Sequence, residues 1–311
     1  MALSVLILAA GKGTRMNSNS PKVLHHVGNI PMIYYSIKLA IKAKAKNIGI
    51  VISKDATEIK NFIKSLSVNI KLFVQSNQLG TGHAILSAKE FETKSGDLII
   101  LYGDCPLITA DTIKKLIDTK KKGVDLSVLG FLSNNQKEYG RMVVDKNNNL
   151  SKIIEYKDAN QNEKGIKFCN SGVMISKAKI LFSLLNQISN NNSAKEFYLT
   201  DIVSLANKQG LIVKSVCCSE AEAQGVNNRQ DLSEVELEFQ KNKRLEILDN
   251  GVTLKDPSSV YFSYDTEIEQ DSIVEANVIF GPGVKIKKNV LIKSFSYLEG
   301  CQVDPNVVIG P

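Results

Sequence analysis

Two glycines and three cationic side chains follow directly on the first apolar segment of the chain. The glycines, Gly11 and Gly13, stand either side of a single lysine, and a backbone without Cβ atoms lets N–H groups approach an anion closely. Three positive charges lie in the same stretch, on Lys12, Arg15 and Lys22. Residues 8–22 therefore predict a loop that binds phosphate groups.

This loop matches neither of two common nucleotide-binding motifs. It lacks the G-x-x-x-x-G-K-[ST] spacing of a Walker A loop, and Met16 stands where the G-x-G-x-x-G fingerprint needs its third glycine. A nicotinamide-dependent reductase would also need an acidic residue about 20 residues further on. The acidic residue nearest the end of the second predicted strand is Asp55, which we interpret as a helix cap. A glycine-rich turn with solvated lysines is the remaining alternative.

A second chemical signal is Asp104, which follows the apolar segment Leu98–Leu101. A carboxylate at the end of a buried strand is a hard oxygen ligand suited to Mg²⁺, although an aspartate in a turn or helix cap is the alternative. Its neighbour Cys105 is interpreted as a small buried residue and not as a nucleophile. The chain offers no Ser-His-Asp or Cys-His set, and the three histidines, His25, His26 and His83, are interpreted as structural.

The elements that would position these groups alternate between strand and helix patterns. The continuous apolar segment Ser4–Leu8 predicts a strand buried on both faces, and further strands are predicted at Ile48–Ile52, Ile70–Val74 and Leu98–Tyr102. Between the first two, Pro31 opens a predicted helix with an apolar stripe of Ile33, Ile37 and Ile41. Asp55 and Glu58 predict a capping box for the next helix. Alternation of this kind indicates a mostly parallel α/β sheet.

The pattern changes in the middle of the chain. Arg141–Asp145 and Leu150–Tyr156 flank an asparagine-rich turn and predict an antiparallel hairpin, followed by a strand at Phe168–Ser176. Tyr198–Gln209 predicts a helix that stops at Gly210. We interpret this part as an insertion that covers the carboxyl edge of the sheet, where open α/β sheets bind ligands.

A different periodicity occupies the end of the chain. A long helix is predicted from Gln230 to Leu248, and beyond it small or apolar residues recur at steps of six with one step of five. These residues are Val278, Val284, Val290, Phe295, Cys301 and Val307. A hexad is typical of a parallel β-helix, of which about three coils fit here, and an irregular β tail is the alternative.

Composition narrows the class of protein. The 311 residues are 43% apolar and 23% charged, which excludes a disordered chain and suggests about two domains. The net charge of +7 comes from lysines interleaved with apolar residues, without the aromatic platforms of nucleic-acid binders. The five cysteines show no zinc spacing, and the apolar opening segment lacks the flanks of a signal peptide. We therefore expect reduced thiols, a cytoplasmic location, no nucleic-acid partner and no membrane insertion.

Several motifs occur together in one order along the chain. They are LAAGKGTRM at residues 8–16, PKVL at 21–24, QSNQLGTGHA at 75–84, YGD at 102–104, YGR at 139–141, EYKDA at 155–159, NSG at 170–172 and GVNNR at 225–229. This set resembles the sugar-1-phosphate nucleotidyltransferases, and in particular the bacterial bifunctional N-acetylglucosamine-1-phosphate uridylyltransferases of the GlmU type. The resemblance is close from residue 3 to about residue 255 and looser in the hexad region.

The resemblance implies a fold, a division of the chain and a reaction. The fold would be a Rossmann-like, mostly parallel mixed sheet of the nucleotide-diphospho-sugar transferase type, then a linker helix and a short left-handed parallel β-helix. The domains would be residues 1–228, 229–250 and 251–311. The reaction would be Mg²⁺-dependent transfer of UMP from UTP to N-acetylglucosamine 1-phosphate, giving UDP-N-acetylglucosamine for cell-wall and lipopolysaccharide synthesis. The acetyltransferase half of the family enzyme would be incomplete in these residues.

The resemblance also assigns roles to residues. Arg15, Lys22 and Asp104 would be catalytic, and Asp104 and Asn227 would hold Mg²⁺. The positions that would contact the substrates are Leu8, Ala9, Ala10, Gly11, Lys12, Gly13, Lys22, Gln75, Gln78, Gly80, Thr81, Tyr102, Gly103, Asp104, Gly140, Glu155, Asn170, Tyr198, Thr200 and Asn227. Ala10, Gly11, Gln75, Gly80 and Thr81 would form the uracil pocket, and Gly140, Glu155 and Asn170 would face the sugar.

Two further alternatives lie close to this interpretation. One is another sugar nucleotidyltransferase that uses dTTP or a different sugar, and the other is a non-catalytic scaffold that assembles through its β-helix. The retained Lys22, Asp104 and Asn227 argue against the scaffold. The partners expected from the resemblance are UTP, N-acetylglucosamine 1-phosphate and pyrophosphate, with a homotrimer formed through the β-helix.

Overall fold

The computed structural model describes residues 2–93, 96–133 and 138–311. The chain divides into two compact units, the first Met1–Leu24 with Met32–Asn228 and the second His25–Pro31 with Arg229–Pro311. Two large apolar clusters and a small one around Phe131 lie in the core of the first unit, and another cluster forms the core of the second. In the described part of the chain, no helix is long and apolar enough to cross a membrane.

The strands up to residue 218 belong to the first unit except β2 and β3, which belong to the second. They are β1 (Leu3–Ala9), β2 (His26–Val27), β3 (Ile30–Pro31), β4 (Asn47–Ser53), β5 (Lys71–Gln75), β6 (Asp97–Tyr102), β7 (Leu126–Leu132), β8 (Arg141–Val144), β9 (Leu150–Ile154), β10 (Phe168–Lys177) and β11 (Val213–Cys218). The helices are α1 (Met32–Lys42), α2 (Thr57–Ser65), α3 (Thr81–Leu86), α4 (Ala110–Lys121), α5 (Gln161–Lys164), α6 (Ala178–Leu185), α7 (Asp201–Lys208), α8 (Glu220–Ala223) and α9 (Arg229–Asp249).

The first unit is built on one mixed sheet with the strand order β11-β7-β10-β6-β1-β4-β5. β1 pairs in parallel with both β4 and β6, and β10 runs antiparallel between β6 and β7. β8 and β9 form the expected antiparallel hairpin, which extends from β10. The mostly parallel mixed sheet predicted from the sequence is therefore confirmed.

Both faces of the central strand β1 are buried, as its continuous apolar segment predicts. Along β1, Leu6 and Leu8 pack in one apolar cluster with α6 and α7, while Val5 and Ile7 pack in the other with α1, α2 and α4. A strand covered on both sides needs apolar residues at consecutive positions, because successive side chains point to opposite faces. The carboxyl ends of β1 and β6 lie side by side, with Leu8 paired to Tyr102.

Three local expectations for the first unit are wrong in detail. Ile41 is 46% exposed and Ala40 is buried in its place, because a 3.6-residue helix returns to the same face after seven residues and not after eight. The capping box at Asp55 does not form, since residues 53–57 turn tightly and α2 begins two residues later with Ala56 at its N-cap. Pro31 pairs with His26 in β3, and α1 begins at Met32.

The second unit combines α9 with short parallel strands. These are β12 (Thr253–Leu254), β13 (Glu267–Ile268), β14 (Ile273–Val274), β15 (Ile279–Phe280), β16 (Lys285–Ile286), β17 (Leu291–Ile292), β18 (Tyr297–Leu298), β19 (Gln302–Val303) and β20 (Val308–Ile309). They pair in three small sheets, β12-β14-β17-β20, β13-β16-β19 and β15-β18. Ile273 pairs with Leu291 and Ile279 with Tyr297, eighteen residues or three hexads apart, whereas Lys285 pairs with Gln302 only seventeen residues on.

One position of the predicted hexad is misplaced. Phe295 is 74% exposed with a φ of 64°, and the buried position in that turn is Ser296. The six-residue step thus runs unbroken from Val290 to Ser296, and the five-residue step follows it, before Cys301. An apolar residue in the left-handed region at an exposed corner cannot be recognised from hydrophobic periodicity, which assigns apolar residues to the interior.

Candidate active site

The glycine-rich loop follows β1 and closes against the stem of Lys22. Gly13 has a φ of 62°, and a Cβ at this position would lie 2.7 Å from the Cβ of Lys22. Glycine is needed here for the backbone conformation and also for the close packing. Residues Thr14–Met16 then form a single 3-10 turn, with the Met16 N–H donating to the Gly13 carbonyl at 2.9 Å.

Lys22 meets Asp104 and Asn227, which come from two distant parts of the chain. Its Nζ donates to Asp104 Oδ2 and, at 3.2 Å, to Asn227 Oδ1. Asp104 lies two residues beyond the end of β6, and its carbonyl accepts the Val226 N–H at 3.0 Å, which brings Asn227 alongside. The side chains of Lys22 and Asp104 are only 13% and 16% exposed, so this ion pair is much less screened than a surface pair.

The two oxygens that contact Lys22 suit a magnesium ion. A carboxylate and an amide carbonyl are hard ligands, and Mg²⁺ is usually held by one or two such groups together with waters and substrate phosphates. In the described residues there is no cluster of three or more His, Cys, Asp or Glu side chains able to hold a metal. Asp104 and Asn227 therefore fit an ion that completes its coordination with water and phosphate.

A cavity of about 500 Å³ joins this cluster to the glycine-rich loop. Most of the residues assigned to the nucleotide line it, and they come from the ends of β1, β5 and β6 and from the start of α3. Its walls are formed by Leu8, Ala9, Ala10, Gly11, Lys12, Lys22, Val23, Gln75, Gln78, Gly80, Thr81, Ala84, Tyr102, Asp104, Glu196 and Asn227. A larger cavity of about 770 Å³ lies at the opposite, amino edge of the sheet and contains none of these groups.

Gln75 is oriented in this cavity by two hydrogen-bond partners. Its Nε2 donates to the Gly80 carbonyl at 3.1 Å and lies 3.1 Å from His83 Nδ1. Both amide hydrogens are satisfied when His83 Nδ1 accepts and Nε2 carries the ring proton. The Gln75 carbonyl oxygen is then the group left to accept from a ligand. On the same wall, Gln78 Nε2 donates to the Ala10 carbonyl at 2.5 Å.

The residues assigned to the sugar form a second, adjoining cluster. Thr200 Oγ1 donates to Glu155 Oε1 at 2.8 Å, and the Asn170 N–H donates to the Gly140 carbonyl at 2.9 Å. A Cβ on Gly140 would lie 3.5 Å from Glu155 Oε2, which places these two positions together. Burial raises the pKa of Glu155, opposed by the Thr200 hydrogen bond and reinforced by the charge of Asp201.

Tyr102 lies between the nucleotide cavity and the sugar cluster. Its hydroxyl bonds to the side chain of Thr81. Burial raises the pKa of this hydroxyl, and the nearby negative charges of Glu155 and Asp104 raise it further. Gly172, with a φ of 86°, permits the ring to approach, since a Cβ there would lie 2.5 Å from the Tyr102 ring. The ring keeps the two clusters adjacent, and its neutral hydroxyl can donate to a ligand.

Eight assigned positions do not line this cavity, namely Gly13, Arg15 and Gly103 and the sugar positions Gly140, Glu155, Asn170, Tyr198 and Thr200. Arg15 is exposed and its guanidinium is 3.7 Å from the Glu138 carboxylate. The Tyr198 hydroxyl bonds to Asp158, away from the wall. Gly103 does not line the cavity either, and its N–H donates to the Leu8 carbonyl at 3.0 Å, which joins the ends of β1 and β6.

Val23, Ala84 and Glu196 also line the cavity, and none of them was expected there from the sequence. Glu196 lies two residues before Tyr198 in a segment already considered, and its Cβ would be 2.9 Å from a Cβ on Gly80. That close approach, marked by a glycine with a φ of 105°, is the signal that relates the two segments. Nothing in the spacing of the sequence indicates it.

Cys105 is a buried neighbour of Asp104. Burial raises the pKa of its thiol well above the usual value, the Asp104 charge raises it further, and Lys22 opposes the change. A thiol with a raised pKa is a poor nucleophile at neutral pH, because the thiolate is the reactive form. Cys105 therefore packs beside the site as a small apolar residue.

The fold and the site define a sugar nucleotidyltransferase. The chain superposes on a putative glucose-1-phosphate thymidylyltransferase from Bacillus anthracis with a TM-score of 0.63 and 19% identity, covering 76% of this chain and 94% of that one. A UDP-glucose pyrophosphorylase complexed with UDP-glucose gives a TM-score of 0.64 at 18% identity, covering 78% and 100%. At such identities these likenesses concern the fold.

The chain belongs to the nucleotidyl transferase family, whose sequence profile matches residues 4–244. It is 41% identical over 307 residues to the bifunctional protein GlmU of Bartonella quintana (strain Toulouse), covering 98% of this chain and 68% of that protein. The GlmU of Ruegeria sp. (strain TM1040) is 42% identical over 312 residues, with coverages of 100% and 69%. The resemblance drawn from the motifs is thus confirmed: the chain is a sugar-1-phosphate nucleotidyltransferase related to GlmU.

Proposed function

We propose that this chain transfers UMP from UTP to N-acetylglucosamine 1-phosphate and releases pyrophosphate. The observation that carries the proposal is the meeting of Lys22, Asp104 and Asn227 at the wall of one cavity that the glycine-rich loop also lines. Such a cluster supplies both positive charge and metal-binding oxygens where the phosphates of a nucleotide would lie.

The chemical step needs positioning and charge neutralisation more than proton transfer. An oxygen of the sugar 1-phosphate attacks the α-phosphorus of UTP in line, the new P–O bond forms, and the bond to pyrophosphate breaks with its electron pair leaving on the pyrophosphate oxygen. The nucleophile is already an anion at neutral pH, so no general base is required. This agrees with the cavity, because no histidine lines it among the described residues. His83 contacts the lining residue Gln75.

Lys22 and Arg15 are assigned to different phosphates of UTP. Lys22 is largely buried beside the metal ligands and is assigned to the α-phosphate, where negative charge grows in the transition state. Arg15 is exposed at the end of the loop and is assigned to the outer phosphates, for which its contact with Glu138 must open. Asp104 and Asn227 would hold Mg²⁺, which when bound neutralises charge on the phosphate oxygens.

The two clusters give the substrate preference a physical basis. The carbonyl oxygen of Gln75 accepts from the N3–H of uracil, a donor that cytosine lacks at this position. In the adjoining cluster, Glu155 accepts from sugar hydroxyls and Asn170 bonds a hydroxyl and the acetamido group. Tyr198 and Thr200 close the far side of this cluster.

The discriminating experiment measures pyrophosphate release across a grid of nucleotides and sugar 1-phosphates. UTP with N-acetylglucosamine 1-phosphate should exceed every other pair in kcat/KM. A maximum with dTTP or with glucose 1-phosphate would assign the chain to another sugar nucleotidyltransferase. Absence of pyrophosphate release from every pair would favour a non-catalytic scaffold.

We assign the transfer of UMP to residues 1–228. Self-association as a homotrimer is assigned to the short parallel strands that follow α9. Tyr261, Ile279 and Tyr297 pair in one column there and are 45%, 45% and 63% exposed, which gives this unit an apolar outer face. Sedimentation at several concentrations tests the trimer. The product would serve as a precursor for cell-wall and lipopolysaccharide synthesis.

A further inference from the structure

One ammonium group contacts both oxygens that would bind the metal. Lys22 Nζ donates to Asp104 Oδ2 and to Asn227 Oδ1. These partners lie 82 and 205 residues beyond Lys22 in the sequence. Lys22 thereby satisfies the Asp104 carboxylate, which would otherwise be left as a largely buried charge without a counterion.

A magnesium ion and this ammonium cannot share the two oxygens. Mg²⁺ requires ligand oxygens at about 2.0–2.1 Å in a near-octahedral arrangement. A cation within hydrogen-bond distance of the same oxygens would overlap that position, and the two positive charges would repel strongly in a partly buried cavity. Binding of the metal therefore requires that Lys22 leave Asp104 and Asn227.

We propose that Lys22 and the divalent cation exchange on Asp104 and Asn227, so that loading of the metal releases Lys22 toward the phosphates. This inference rests on the proposed function and adds to it an order of events. The stem of Lys22 packs against Gly13, and Lys22, Lys12 and Gly11 line one cavity. The released ammonium thus remains beside the glycine-rich loop and moves from one anionic partner to another.

The exchange couples metal binding to nucleotide binding. Without nucleotide, the metal must displace an ammonium that then has no anionic partner, so the affinity for the metal is lowered. With nucleotide in place, the displaced ammonium meets phosphate oxygens, and the penalty is removed. Such coupling is reciprocal, because each ligand changes the affinity of the other by the same factor.

The first test measures Mn²⁺ binding without nucleotide, by electron paramagnetic resonance of the free ion. Lys22→Met should bind Mn²⁺ about tenfold or more tightly than the unmodified chain, within the range of ordinary couplings. Lys12→Met is the matched control, because it removes one positive charge from the same cavity wall without touching Asp104 or Asn227. Asp104→Asn should abolish Mn²⁺ binding when it is combined with Lys22→Met and when it is combined with Lys12→Met.

The second test follows Lys22 in the unmodified chain and depends on no variant. Amine acetylation read by mass spectrometry should modify Lys22 faster as Mg²⁺ is added, with Lys12 as the internal reference. Equal Mn²⁺ affinities for the Lys22 and Lys12 variants, or a Lys22 labelling rate independent of Mg²⁺, would overturn the exchange alone. Absence of Mn²⁺ binding to every form, with and without UTP, would instead contradict the metal site of the proposed function.

Discussion

Thr200 Oγ1 donates a 2.8 Å hydrogen bond to Glu155 Oε1, joining the residue before α7 to the residue after β9. Thr200 is only 5% exposed, so the Glu155 carboxylate has a fixed hydrogen-bond partner inside the sugar cluster. Glu155 therefore presents its second oxygen, Oε2, to a ligand, and its charge is held in a partly buried position where it is costly.

Replacing this carboxylate should make stability less dependent on pH. Burial raises the pKa of Glu155 in the folded chain, so between the unfolded and folded values the folded state binds more protons and stability falls as pH rises. Glu155→Gln removes this loss and keeps an oxygen for Thr200. Its Tm should exceed that of the unmodified chain at pH 7 by about 2–4 °C, as expected for about 1 kcal/mol.

Below the unfolded pKa of glutamate the two Tm values should converge, because both side chains are then neutral. The control is Glu163→Gln, at a partly exposed carboxylate whose pKa is lowered because it accepts the Asn160 N–H, and this variant should give the opposite sign. The kcat/KM of Glu155→Gln should fall, mainly because KM for the sugar phosphate rises. A pH-independent difference in Tm would contradict the buried-charge explanation.

Asp104→Asn should lower turnover by orders of magnitude. The change removes one negative charge from the oxygen pair shared with Asn227, and the expected loss of transition-state stabilisation is about 3–5 kcal/mol. Pyrophosphate release at limiting Mg²⁺ measures it, with circular dichroism to verify the fold. Asp111→Asn, at an exposed position at the start of α4, is the control and should leave turnover unchanged. Near-normal turnover of Asp104→Asn would exclude the assignment.

Lys22 and Arg15 should differ in which kinetic constant they change. Lys22→Ala should reduce kcat more than it weakens UTP binding, because its ammonium meets charge that develops on the α-phosphate. Arg15→Ala should mainly raise KM for UTP, since the guanidinium is exposed and reaches the outer phosphates. Steady-state kinetics with UTP titrated at saturating sugar phosphate separates the two. The reverse order of effects would show that the roles are exchanged.

His83→Ala should reduce discrimination between UTP and CTP by about tenfold. Without the ring nitrogen 3.1 Å from Gln75 Nε2, the Gln75 amide loses one of the two contacts that orient it. An amide that can turn presents either a donor or an acceptor to the base, and a loss of about 1–2 kcal/mol of selectivity follows. The ratio of kcat/KM for the two nucleotides measures it.

His83→Asn, whose side-chain oxygen can accept from Gln75, should restore part of the discrimination. His26→Ala changes an exposed histidine of the second unit and should have no effect on the ratio. An unchanged ratio in His83→Ala would mean that Gln75 is oriented without the histidine.

Gly13→Ala should damage both the loop and Lys22. The new methyl group would lie 2.7 Å from the Lys22 Cβ, and the φ of 62° is unfavourable for alanine, so we expect a loss of about 1–2 kcal/mol in stability. Gly11→Ala is the matched comparison, because no atom lies within 4 Å of a Cβ there. Urea unfolding should separate the two variants, and equal midpoints would contradict the packing argument.

Local pattern determined much of the fold. The apolar segments of β1, β4 and β6 and the hexad from Val278 onward are visible in sequence because neighbouring residues along the chain carry the periodicity. The glycine-rich loop was likewise recognised from residues that are adjacent in sequence. Ile41 was misassigned because two steps of four overshoot the 3.6-residue period, and Phe295 because periodicity assigns apolar residues to the interior.

The site itself was decided by tertiary structure. Residue types and the order of motifs nominated Lys22, Asp104 and Asn227, but nothing in their spacing shows that one ammonium contacts both oxygens. The orientation of Gln75 by His83, and the approach of Glu196 to Gly80, also depend on how strands and loops meet at the carboxyl edge of the sheet. The contacts of Lys22 join residues 82 and 205 apart, and His83 lies eight residues from Gln75; in each case the geometry follows from packing, which sequence periodicity does not encode.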